Sequence, residues 1–510
     1  MLGKIWLLCL FSAFYCCIQA QVLLAPQNLL APEAGISATS VALLWDKPEQ
    51  YDGVNGYEIY LNGKWLASST KTNFTAKGLK PNKRYAFSVK AKGAAQQVSA
   101  FSNTVRCKTK PLGKIYNVVD FGAIGDGKTL NTKAIQKAID ACGKNGVVLI
   151  PKGKFLSAAL YLKSNMTLRV EKGGVLKGTN DAVDYLPFYL NRFEGWELET
   201  YASLINAGKL DRREVYHVEN LTIDGEGIIS GGGSELGKAM IAAHGMRSRG
   251  RLICIMNGKN INISGLRIEN SPCWTIHYIY SKNVVLNGLD INSTARNGDG
   301  IDPDSSIDSY ILNSKFSTGD DCIAIKSGKN PEGNVVNRPT QNIRITDCEF
   351  NKGHSLAIGS EMSGGVSGVF IQDCNIGNLL HGLQIKATKD RGAYVKDVVV
   401  RDCNLQQLTL YTQLNYNNDG DPAPTLPQFS DMEFTNLDFT QAKNNSVVID
   451  INGFADPKHY TRNILLENFK LPENSVVKVK NAENVFFKNV MCTDGNAPKY
   501  EIVESSNINY

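Results

Sequence analysis

Long apolar runs are almost absent from the 510 residues. The one candidate lies near the N-terminus, where Lys4 precedes an apolar stretch over residues 5–17 and then Ile18-Gln19-Ala20-Gln21. That pattern reads as a secretory signal over residues 1–20, cleaved on export, and the remainder offers no membrane span. A lipoprotein anchor at Cys16 or Cys17 competes with this reading, although Phe14-Tyr15 lacks the small residues such processing wants. Proline is scarce, with 17 residues beside 46 glycines, which excludes collagen and wholesale disorder. A strong charge of one sign is also missing. With 55 basic against 49 acidic side chains, no nucleic-acid partner is expected, while a local basic groove for an acidic polymer remains compatible. There is no Gly-x-Ser-x-Gly elbow and no His-Glu-x-x-His zinc helix. Gly225-Glu226-Gly227 has no strand-glycine-helix unit around it, so it reads as a turn and not a phosphate loop. The expected location is secreted or periplasmic, and the oligomeric state is left open.

What is present falls into two grammars. Residues 22–110 alternate apolar and polar positions in short runs separated by turns, an all-β sandwich. Trp45 on an early strand, and the corner and strand Leu79-Lys80-Pro81-Asn82-Lys83-Arg84-Tyr85-Ala86-Phe87, resemble a fibronectin type III domain. In that resemblance Trp45 fills the core and Tyr85 bonds back to the corner. Residues 108–114 read as a linker. From residue 115 to 510 a repeat takes over. Its frames start at Asn220, Asn260, Asn283, Ser309, Asn342, Gly368, Asp397, Asp431, Asn463 and Asn484, in steps of 40, 23, 26, 33, 26, 29, 34, 32 and 21 residues. A bare coil plus variable loops is the signature of a parallel β-helix, in which each coil covers its neighbour's open edge. The apolar spacing over residues 131–142 predicts a helix that caps the N-terminal end.

Three of the twelve cysteines leave with the leader, and the remaining nine are an odd number, so at least one lacks an intramolecular partner. Cys348, Cys374 and Cys403 sit six residues past their frame starts and should stack as buried thiols, whose parallel side chains suit disulfides poorly.

The densest chemistry lies in Asn297-Gly298-Asp299-Gly300-Ile301-Asp302-Pro303-Asp304, Gly319-Asp320-Asp321, Gly353-His354-Ser355 and Gln384-Ile385-Lys386. From their own frame starts, Asp299 is at offset 16, Asp320 and Asp321 at 11 and 12, His354 at 12 and Lys386 at 18. Similar offsets on successive coils become neighbours in space. Carboxylates crowded near a histidine and a lysine supply an acid, a base and cations for an acidic sugar, as glycoside hydrolysis requires. A calcium site built from Asp299, Asp302, Asp304 and Asp308 is the competing reading of the first segment.

Taken in order, these segments resemble the signature blocks of glycoside hydrolase family 28, the polygalacturonases. The similarity runs over residues 118–421 and includes Glu194-Gly195-Trp196-Glu197, Ser271-Pro272-Cys273-Trp274-Thr275-Ile276-His277, Ile358-Gly359-Ser360-Glu361-Met362 and Arg391-Gly392. The resemblance implies an inverting hydrolase of pectic polysaccharide or oligogalacturonide with Asp320 as general acid. Asp299 and Asp321 would activate the water, His354 would support the acid, and Lys386 would bind a galacturonate carboxylate. Gln384, Arg391, Trp274, His277 and Glu361 are further candidates for substrate contact. No metal and no cofactor is implied. Where the family reads Arg-Ile-Lys this chain has Gln384-Ile385-Lys386, so one bidentate carboxylate clamp is gone; Arg391 or Arg251 could substitute, and sequence places neither. The long steps, with further loop material over residues 188–217, and an exo-like segment over residues 358–366 point to action from a chain end. Two other readings are a glycan-binding protein without catalysis and a calcium-dependent lyase.

Overall fold

The protein is described by a computed structural model that covers residues 22–377, 379–413 and 420–510. The leader expected over residues 1–20 lies outside them. The N-terminal sandwich pairs a three-stranded sheet (Gln27–Leu30, Val41–Asp46, Asn73–Ala76) with a four-stranded one (Lys64–Ser69, Gly56–Leu61, Arg84–Lys92, Val105–Lys108). Period-two alternation sends Phe87, Val89 and Ala91 inward, and the fully buried Trp45 meets Tyr57 edge-on at 5.3 Å.

The rest is a right-handed parallel β-helix of three sheets, with 14, 8 and 12 strands. One interior column shows how it is held. Ile223, Ile263, Leu286, Ile311, Ile345, Ile371, Val400, Phe434, Leu466 and Phe487 pair in unbroken register and are all buried. Each such side chain removed from water contributes roughly 1.5–3 kcal/mol.

The frame starts prove to be a backbone device. Asn220, Asn260, Asn283, Asn342, Asp397, Asp431, Asn463 and Asn484 all hold positive φ between 54° and 57°. Asn and Asp tolerate this left-handed region because the side chain bonds locally. Their amides form a ladder along the solenoid: Asn260 Nδ2 donates to Asn220 Oδ1 at 3.1 Å, Asn283 to Asn260 at 2.6 Å, and Asn484 to Asn463 at 3.1 Å. This corrects one frame. Ser309 pairs with Val284, so that coil starts at Asp308, which has φ 59° and accepts from Asn342 Nδ2 at 2.6 Å. The offset of Asp320 is therefore 12, equal to that of His354.

The capping helix spans Thr132–Ala141 and buries Ile135, Ala138 and Ile139. Asn131 does not cap it with its side chain. Its amide turns back to the main chain of Ile124 and Thr129 at 2.7–3.0 Å. The nine described cysteines are all unpaired. In the Cys348, Cys374, Cys403 stack, the Cys374 amide donates to Cys403 Sγ at 3.4 Å, and burial pushes both of those thiols well up.

The 12-stranded sheet positions the site. Its relevant strands are β1 (Ile253–Met256), β2 (Ile276–Ile279), β3 (Ile301–Asp304), β4 (Asp321–Ile325), β5 (Ser355–Ile358), β6 (Leu383–Thr388) and β7 (Leu408–Gln413), successive neighbours in parallel. Ile276, Ile301, Ile323, Leu356, Leu383 and Leu408 line up inward, so the alternate residues His277, Asp302, Gln384 and Lys386 stand on the outer face.

Candidate active site

Asp320 and His354 occupy the same rung of adjacent coils, in the turns that lead into β4 and β5. The His354 amide donates to the Asp320 carbonyl at 2.9 Å, and His354 Nδ1 lies 3.1 Å from Asp320 Oδ1. Gly353 makes the approach possible. Its φ is +127°, and a Cβ there would sit 2.1 Å from Thr318 Oγ1 and 2.6 Å from the Asp320 carbonyl oxygen. Asp321 opens β4, its amide donates to Asp320 Oδ1 at 2.9 Å, and its own Oδ2 faces Lys386 Nζ at 3.4 Å. Asp299 stands in the turn before β3, with Oδ2 3.5 Å from Lys326 Nζ.

The carboxylates lie at two depths. The Asp320 side chain is 25% exposed, against 5% for Asp299 and 7% for Asp321. Asp299 Oδ1 and Asp321 Oδ1 are buried and accept no hydrogen bond from the described residues. Burial and the neighbouring Asp302 and Asp320 push Asp299 well above the carboxylate range, and burial pushes Asp302 up to about 8. Asp320 goes the other way: burial would raise it, but the bond and charge of His354 win and hold it low. The same bond raises His354 against its own burial. The raised carboxyls are thus Asp299 and Asp302, not the expected acid.

The other residues expected at the substrate lie mostly buried. Arg391 is fully buried and donates to the Ser360 carbonyl at 2.8 Å and to Asn330 Oδ1, contacts that brace the loops around it. Arg251 lies beside the stacked Phe193 and Trp274, 4.6 and 4.9 Å from the ring centres, and donates to the Arg249 and Arg192 carbonyls. Trp274 is 2% exposed and stacks on Phe193 at 5.0 Å. His277 is wholly buried 3.4 Å from Asp304, and burial lowers it to about 4, leaving a neutral structural imidazole. Gln384 is 2% exposed, its Oε1 accepts from the Tyr411 hydroxyl at 3.1 Å, and its Nε2 has no hydrogen-bond partner among the described residues. Glu361 faces Lys326 at 3.2 Å.

The four aspartates of the competing calcium reading do not converge. Asp304 is taken by Arg192 at 2.7 Å and by His277. Asp299 and Asp302 face Lys326, and Asp308 sits in the asparagine ladder. Among the described residues, the one set with donor atoms close enough for a cation is Asp320, Asp321 and His354, within 4.8 Å, where His354 and Lys386 already act as counter-ions.

Lys326 and His381 were not singled out from the sequence. In Cys322-Ile323-Ala324-Ile325-Lys326 the inward Ile323 and Ile325 force Lys326 outward beside Asp304, so alternation alone could have found it. His381 lies 5.7 Å from His354, ring to ring, one coil further along. A hairpin, Tyr189–Phe193 with Trp196–Thr200, closes over the coils before the catalytic rung. Arg192 anchors it to Asp304 and to Tyr280, whose hydroxyl donates to Glu197 at 2.6 Å. Its tip is tied to the loop after β4: Trp196 Nε1 donates to the Asn330 carbonyl at 3.1 Å, the Glu197 amide to Glu332 Oε1 at 2.8 Å, and Arg212 bridges Glu197 and Glu332 at 2.9 and 3.0 Å.

Carboxylates at two depths, the shallow one paired with an imidazole, beside the outer face of one sheet of a parallel β-helix are the groups that glycoside hydrolysis uses. The chain belongs to glycosyl hydrolases family 28, which it matches over residues 142–493, and carries a fibronectin type III domain over residues 24–107. It is 29% identical to an exo-poly-alpha-D-galacturonosidase of Dickeya chrysanthemi over 96% of this chain and 93% of the relative. A probable polygalacturonase of Vitis vinifera is 33% identical over 67% of this chain and 71% of its own length. Among solved structures, a family 28 exopolygalacturonase of Yersinia enterocolitica superposes with TM-score 0.86 at 28% identity, covering 95% of this chain and 99% of that one.

Proposed function

We propose that the protein is an exported, inverting, exo-acting hydrolase of pectic galacturonosyl linkages. The observation that carries the reading is the pair of buried oxygens, Asp299 Oδ1 and Asp321 Oδ1, without a hydrogen-bond partner among the described residues, together with the partly exposed Asp320. A water that donates to those two oxygens is activated on one side of the sugar, while Asp320 reaches the leaving oxygen from the solvent side. Attack and departure on opposite faces invert the anomeric centre. The Asp320–His354 pair holds one proton between the lowered pKa of Asp320 and the raised pKa of His354. A bound acidic sugar desolvates Asp320 and adds negative charge beside it, both of which drive that proton onto the carboxyl. Lys386, 12% exposed beside Asp321, is the candidate partner of a galacturonate carboxylate. Exo-action is supported by the tied hairpin and by the named activities of the relatives in Dickeya and Yersinia. Export rests on the leader sequence, and among the described residues no helix is long and apolar enough to cross a membrane.

Incubating an oligogalacturonide with chelator present tests the reading. New reducing ends without an ultraviolet-absorbing double bond are expected, with the opposite anomer formed first in proton NMR. A double bond would mark elimination, and a retained anomer would remove the single-displacement mechanism.

A further inference from the structure

Three carboxylates converge on one buried ammonium. Lys326 lies just past β4, its Nζ 3.2 Å from Glu361 Oε2, 3.5 Å from Asp299 Oδ2 and 3.5 Å from Asp302 Oδ1, with the Trp274 ring centre at 4.5 Å. Its side chain is 7% exposed, so this cation does not stand in the groove to meet a polymer. It meets Asp299 on Oδ2 and leaves Oδ1 without a hydrogen-bond partner among the described residues. That is the geometry of a base held from behind.

The need for such a cation follows from the surroundings. Asp299 is faced by Asp302, Asp320 and Asp321, and burial opposes its charge as well; of the groups that shift it, Lys326 pulls it down. Arg251 acts on Asp302 from the segment that leads into β1, Arg192 and His277 are engaged with Asp304, and Lys386 is engaged with Asp321. Asp302 is wholly buried too, and its Oδ1 lies 3.5 Å from the same ammonium, so Asp299 and Asp302 share one cation.

We propose that Lys326 is a positioning residue that keeps Asp299 ionised and oriented as the water-activating base, with Glu361 setting how much of its charge Asp299 feels. The inference rests on Asp299 being a base in the proposed function. The test is kcat/KM as a function of pH for the full chain and its variants on a short oligogalacturonide. Lys326→Met should raise the pH at which the acid limb falls by about one to three units, with KM at the new optimum unchanged. Lys326→Arg, which keeps the charge, should restore the limb. Glu361→Gln removes a competing anion and should move the limb in the opposite direction, which keeps the proposal testable even if Lys326→Met does not fold. Asp299→Asn is measured alongside. Activity with an ordinary acid limb in Asp299→Asn would remove the base assignment itself. An inactive Asp299→Asn together with unmoved limbs in Lys326→Met and Glu361→Gln overturns the role of Lys326. A raised KM with an unmoved limb in Lys326→Met would make Lys326 a substrate ligand and overturn it equally.

Discussion

At the scale of single residues, the Asp320–His354 pair keeps its proton on the imidazole, which is raised while Asp320 is held low. Asp320→Asn removes the acid but keeps the shape of the carboxyl, and kcat should fall by about 10²-fold or more with an unchanged melting temperature. The pH dependence has a definite sign. His354 is raised by its bond to Asp320, so the pair loses its proton, and activity its alkaline limb, only above the ordinary imidazole range. In His354→Ala the carboxyl titrates without its imidazolium, and the alkaline limb should move to lower pH; a limb that stays in place would show that His354 is not the proton store. Gln384 is a third case. Its Nε2 has no hydrogen-bond partner among the described residues and stands two residues from Lys386 on one face. Gln384→Arg should lower KM for homogalacturonan if a missing carboxylate clamp limits that substrate, and an unchanged preference would exclude Gln384 from specificity. That Asp320, Asp321 and His354 stand on adjacent coils was legible because the repeat fixes offsets to within a residue, whereas the frame shift from Ser309 to Asp308 was needed to put Asp320, and not Asp321, on the rung of His354. The burial of Trp274, His277 and Arg391 was not, because it depends on loops that do not repeat.

At the scale of the coil, the repeat was legible through its apolar columns, whereas the reason for asparagine at each start was not. Spacing shows where a turn falls, and only φ and the amide contacts show that the side chains form a chain of bonds. Asn260 tests this ladder, since it donates to Asn220 and accepts from Asn283. Asn260→Gly keeps the left-handed backbone and loses the two bonds, costing about 1–3 kcal/mol at roughly 0.5–1.5 each. Asn260→Ala adds roughly 1–2 kcal/mol for a Cβ at φ 57° and should be the less stable variant in urea titration. Equal midpoints for the two would mean that the backbone conformation carries no cost there. The shift of one frame from Ser309 to Asp308 has the same origin: either residue satisfies the apolar pattern, and only the left-handed residue marks the start of the coil.

At the scale of the molecule, the mode of cleavage depends on what stands at the end of the groove. The step arithmetic pointed to extra loop material but could not say where it went, because Arg192 meets Asp304 across 112 residues and Trp196 meets Asn330 across 134. The observed ties make a wall of the hairpin and the loop after β4, braced by the buried Arg192 and by the Arg212 bridge. A wall fastened by a buried ion pair does not swing aside cheaply, since separating Arg192 from Asp304 leaves two uncompensated charges and costs roughly 3–5 kcal/mol. In the proposed exo-acting reading a polymer enters by its end, with the non-reducing residue against the wall and the next linkage at Asp320. On a long galacturonan the protein should release its smallest product from the first minute while viscosity falls slowly. An early spread of mid-length oligomers with a rapid loss of viscosity would show that the chain threads past the hairpin and is cut internally.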